Sequence, residues 1–176
     1  MPYLLNFISH IKHESLLETV TSIESNNTAI QLPFSDCTTS PGDTIEIITP
    51  SDNKRRLFVK TLIDSDLPTP FHAIYVDFTN SRYITNTERF HVFQPQEESN
   101  TLINSLDTWL TFHSDYNVRW MIIDGISHVE HVQLLKRLQV KWNFILLFLS
   151  SSSNLTSLVD YQFKFRREGE VDRLMQ

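Results

Sequence analysis

Glycine is scarce: the chain of 176 residues contains 3, where ordinary usage of about 7% would give about a dozen. A phosphate cradle built from backbone N–H groups needs glycine, which takes positive φ freely and leaves no side chain in the way. A glycine-lined nucleotide loop is therefore excluded. Cysteine is scarcer still. Cys37 stands alone, which rules out an intrachain disulfide and a cysteine-built zinc cage and fits a reducing compartment. The longest apolar run, residues 144–149, falls far short of the ~20 residues of a membrane-spanning helix. No basic region leads into an apolar run near Met1, so the chain is expected to be soluble and intracellular, without a signal peptide. Positive charge is not in excess either. A net charge of -6 and a pI near 5.6 argue against a protein that coats nucleic acid by itself.

What is present is enough apolar material for a packed core: 40% hydrophobic residues against 20% charged, in a chain the size of one domain. Helical segments alternate with short apolar runs, the pattern of a parallel α/β sheet. The first 25 residues carry Leu4, Leu5, Phe7 and Ile8 in loosely helical spacing, and residues 33–43 read as a loop. Strands are expected at 44–48, 71–77, 90–93, 119–124 and 143–149. Helices are expected at 57–63, 97–113 and 128–140, and the chain closes on a hairpin of 161–166 and 170–175.

Two segments bear on chemistry. After the first strand comes Thr49-Pro50-Ser51-Asp52-Asn53-Lys54-Arg55-Arg56, in the strand–loop–helix context of a nucleotide-binding P-loop. Laid on G-x-x-x-x-G-K-[ST], its two glycines become Thr49 and Lys54. The lysine becomes Arg55 and the magnesium-binding hydroxyl becomes Arg56, so all four defining positions are changed. Trp120-Met121-Ile122-Ile123-Asp124 has the form of a Walker-B strand, whose acid holds Mg²⁺ in an active ATPase. With no hydroxyl at Arg56 to complete a metal site, Asp124 is expected to pair with the Lys54–Arg56 cluster. Each segment also reads as an ordinary buried strand or strand-to-helix loop. His10 and His13, like His128 and His131, are spaced i, i+3, but they lack partners for a metal site, and no metal or cofactor is expected.

The order of these pieces, closed by Phe163-Lys164-Phe165-Arg166-Arg167-Glu168-Gly169, resembles the RecA-type ATPase core and specifically the paralogues of strand-exchange recombinases. The resemblance covers roughly residues 33–176. It departs from the active family at Thr79, where a catalytic glutamate would follow the acid matched by Asp77, and in a serine run much shorter than the family's second DNA-binding loop. It implies a single RecA-like domain over 33–176, a mainly parallel sheet flanked by helices, preceded by a helical segment over 1–32. It further implies a protein without catalysis or cofactor, a subunit of a Shu-like complex that assists recombinase filaments in homologous-recombination DNA repair in the nucleus. Its partner would be another RecA-like subunit, met through Leu4, Leu5, Phe7 and Ile8, unless these pack on the chain's own core. DNA would be met weakly, through Lys54, Arg55, Arg56, Arg166 and Arg167. The alternative is a RecA-like pseudo-ATPase of another assembly, such as the Elongator accessory ring. An enzyme with an unrecognised site is disfavoured by the lack of a coherent catalytic constellation.

Overall fold

The computed structural model describes residues 29–66, 71–81, 84–96, 99–126, 128–152, 154–168 and 171–176. The expected helix around Leu4, Leu5, Phe7 and Ile8 lies outside the described residues. In chain order the elements are β1 (Ile30–Gln31), β2 (Thr38–Thr39), β3 (Thr44–Ile48), α1 (Asp52–Asp66), β4 (Phe71–Asp77) and β5 (Phe90–Phe93). They continue with α2 (Asn100–Phe112), β6 (Asn117–Asp124), α3 (Val129–Trp142), β7 (Ile145–Ser150), β8 (Tyr161–Glu168) and β9 (Val171–Met175).

The main sheet has the order β5-β4-β6-β7-β3-β8-β9. Its first six strands are all parallel, and β9 closes a hairpin antiparallel to β8. This is an α/β domain of RecA-like layout. A parallel sheet covered on both faces needs strands apolar on both sides, and β7, reading ILLFLS, is buried along its whole length. On one face α1 packs Phe58, Val59 and Leu62 against Ile45, Ile47, Trp120 and Leu147. On the other, α2 (Ile103, Leu106, Leu110) and α3 (Val132, Leu135, Leu138) cover Ile74, Met121 and Leu146.

Local chemistry sets the element ends. Ser99 caps α2, accepting a hydrogen bond from the Leu102 N–H at 3.3 Å, the expected arrangement at a helix N-terminus. Asn143 ends α3 in the left-handed region at φ 53, so β7 begins at Ile145 rather than at residue 143. Helix α1 begins five residues before the expected 57, because its first turn, Asp52 to Arg56, is wholly polar and carries no apolar period to detect. Within the expected loop of 33–43, Thr38–Thr39 pairs with Ile30–Gln31 as a two-stranded sheet. Ile30 and Leu32, on the N-terminal side of the expected boundary at residue 33, pack into the α1-side core. Side chains occupy donors of the edge strand β5: Val92 N–H donates to Asn86 Oδ1 at 2.6 Å and Phe90 N–H to Thr87 Oγ1 at 3.1 Å.

Candidate functional site: an arginine–aspartate pair at the strand ends

In open α/β sheets, ligands sit beyond the carboxyl ends of the strands, where the strand order reverses. Here β3 leads through α1 to β4, three positions away across the sheet, and the carboxyl ends of β3, β4, β6 and β7 carry Thr49, Asp77, Asp124 and Ser150. The turn from β3 into α1 is three residues long, Thr49 to Ser51. The helix has already begun at Asp52, inside the stretch that would wrap a phosphate. The amides of Lys54 and Arg55 both donate to the Ser51 carbonyl at 3.1 Å, and Thr49 N–H donates to the Ser150 carbonyl at 2.8 Å. Positive φ occurs at Phe34, Gly42, Asn80, Gly125 and Asn143, so none falls between Thr49 and Arg55. The backbone here is an ordinary helix start, not a cradle.

The side chains close the site. Arg55, 8% exposed, reaches from the first turn of α1 to Asp124 at the end of β6, with Nη1 2.9 Å from Oδ1. Its Nη2 lies 2.9 Å from Asp52 Oδ1 at the surface. The second oxygen of Asp124 accepts the Tyr75 hydroxyl at 2.7 Å. Asp124 and Tyr75 are completely buried, and the carboxylate is balanced by the Arg55 guanidinium and hydrogen-bonded by the phenol. The ion pair anticipated for the Lys54–Arg56 cluster thus falls to Arg55.

The ladder also sets Asp77 directly opposite Asp124. Two buried acids side by side repel unless each has its own donors, and the donor sets are separate. Asp77 Oδ1 accepts the Thr79 hydroxyl at 2.7 Å and the Thr79 N–H at 3.0 Å. Its Oδ2 accepts from the Ser81 N–H and hydroxyl, both at 3.1 Å, and from Gln94 Nε2 at 3.3 Å. Burial pushes the Asp77 carboxyl up, but the hydrogen bonds from Thr79, Gln94 and Ser81 outweigh it and hold the group below its ordinary range. Thr79 is therefore committed to its own loop. A Cβ at Gly125 would lie 2.8 Å from the Thr79 methyl, closer than such atoms approach, and Gly125 has φ +90, which explains the glycine after Asp124.

The expected basic clusters separate. Lys54 is half-buried, its Nζ 5.3 Å from the centre of the Phe165 ring, and Arg56 is exposed. Arg55 leaves the candidate DNA-contacting set because it is buried and ion-paired. Phe163 and Phe165 of β8 point into the α1-side core. Lys164 and Arg166 alternate with them, so they share the opposite face with Gln162, which donates to the buried Glu46 at 2.6 Å. Arg56 and Arg166 therefore do not form one continuous strip. Arg167 lies in β8 opposite Asp172, its side chain outside the described set. The residues that sequence reasoning missed are Tyr75, the facing of Asp77 and Asp124, and Arg173, whose Cα pairs with that of Arg166. Only strand register reveals them.

Among the described residues no group of three or more His, Cys, Asp or Glu suits a metal ion, and no helix is long and apolar enough to cross a membrane. No protein-family model matches the chain, and no curated protein matches it.

Proposed function

We propose that this chain is a non-catalytic recombinase paralogue, a scaffold subunit of a Shu-like complex that promotes recombinase filament assembly in homologous-recombination DNA repair. The observation that carries the reading is the Arg55–Asp124 pair at 2.9 Å: the acid positioned to hold magnesium is held by an arginine of the same chain. A chain whose nucleotide position is filled from within contributes surfaces instead of turnover. The apolar surface would be buried against a sister RecA-like subunit. The phosphate contacts would come from the exposed face of β8 that bears Lys164 and Arg166, and that face supports a DNA role better than α1 does. In Cα register Arg166 stands opposite Arg173 of β9.

Isothermal titration of the chain with Mg-ATP tests the closed site, and the expected result is no measurable heat of binding. Low-micromolar affinity would overturn it. Affinity purification from nuclear extract tests the assembly. Recovery of a RecA-like partner and a recombinase supports the proposal, whereas recovery of a tRNA-binding ring would replace it with the Elongator-like alternative.

A further inference from the structure

A second cluster of titratable groups lies at the amino ends of β4 and β5, the far end of these strands from the acids. His72 on β4 reaches His91 on β5 diagonally, past Ile74, the ladder partner of His91, with Nδ1 and Nε2 3.1 Å apart and the rings within 7° of parallel. The His72 ring stacks on Tyr116 at 4.2 Å. The Trp109 ring of α2 lies 4.8 Å from His91 and 4.2 Å from His113. His113 caps the end of α2, its Nδ1 2.8 Å from the Trp109 carbonyl oxygen. Two strands, the end of a helix and the loop that follows it are thus joined through three imidazoles and two larger rings.

Two imidazole nitrogens at hydrogen-bond distance need one N–H and one lone pair between them. A first added proton, taken at an outward nitrogen, leaves that bond in place. A second puts N–H groups on both facing nitrogens and two positive charges in a half-buried setting, where the bond becomes a repulsion. We propose that the His72–His91 pair is an acid-released latch: neutral, it holds edge strand β5 and the last turn of α2 to the sheet, and double protonation lets them go.

The charged groups around the pair are Arg89 and Glu88 ahead of β5 and Asp115 and His113 on the helix–loop side. For His72, burial and the Arg89 charge outweigh the attraction of Asp115 and Glu88 and lower the pKa. For His91, burial does so first, then the charges of His72 and His113. Lowered pKa values in the folded state mean that the latch is whole above the ordinary imidazole value of 6.5. It is lost progressively as pH falls below that value.

The test follows histidine-ring ¹⁵N shifts and backbone amide exchange on the full chain from pH about 7.5 to about 5. Expected are depressed, mutually coupled titrations of His72 and His91. Amides of Phe90–Phe93 and the last turn of α2 should exchange roughly tenfold faster in acid, after correction for intrinsic rate, for each pKa depressed by about one, while β6 and β7 stay protected. His91→Gln keeps a hydrogen-bonding amide that does not titrate, so it should abolish the acid-dependent part. Independent titrations at the ordinary imidazole value would overturn the proposal, as would unaccelerated β5 exchange or acid-dependent exchange undiminished in His91→Gln. Should the variant fail to fold, the wild-type ring titrations decide.

Discussion

Arg55 and Arg166 are the same kind of residue in opposite circumstances. The first is buried beside an aspartate that it neutralises, whereas the second is exposed on a strand whose opposing residue is another arginine. Removing a partner from a buried pair leaves a charge stranded away from water, so Arg55 acts first on stability. An exposed cation costs little to remove, so any role of Arg166 shows only when an anion arrives. Membership of a basic cluster therefore predicts little; the location of the counter-charge decides what each arginine does.

The sharpest way to break this contrast is Arg55→Ala. It removes the guanidinium beside the fully buried Asp124, and urea denaturation should show a loss of about 3–5 kcal/mol. Arg56→Ala, at an exposed position in the same helix turn, should cost far less, about 1 kcal/mol at most. The Lys54–Arg56 cluster is thus not a unit, and a triple alanine variant would confound unfolding with any loss of binding. Equal losses in both variants would show that the buried pair contributes nothing particular.

A smaller effect is expected at Asp77, the acid facing Asp124. Its carboxyl is held below the ordinary range, so its stabilising contribution is complete above the unfolded-state value of about 4 and is lost as pH falls through the lower folded one. Asp77→Asn should remove that part of the acid sensitivity and cost about 1–3 kcal/mol at neutral pH, since an amide cannot accept from all five donors. An unchanged acid limb in equilibrium denaturation would show that Asp77 is not the group responsible.

Arg166→Ala should alter stability least, within about 0.5 kcal/mol. In the assembled complex it should reduce the slope of log K against log salt for duplex DNA by about 0.9 if it contacts one phosphate. Fluorescence anisotropy over a salt series measures that slope. An unchanged slope would remove Arg166 from the proposed DNA contacts.

Strands β4 and β5 have the bounds expected from their residues, 71–77 and 90–93, because short apolar and β-branched runs are visible without any partner. The start of α1 was not legible, since a polar first turn held at Ser51 looks like loop. The closed site was legible in part. Four changed P-loop positions foretold the absence of a cradle, and Asp124 at the end of an apolar strand foretold a buried acid in need of a cation. Which of three adjacent cations would reach it was open, because only the rotation of α1 against the sheet turns Arg55 inward and Arg56 out.

Composition and local pattern settle properties that belong to short stretches: too few glycines for a phosphate loop, strands apolar enough for a covered parallel sheet, and a chain without an intrachain disulfide. Register settles the rest. Asp77 stands opposite Asp124, Arg166 opposite Arg173 in Cα register, and His72 comes diagonally within reach of His91, whose ladder partner is Ile74, because of how strands are ordered and slid past one another. That order is set by burying two apolar faces at once, a sum over the whole core that no local segment contains.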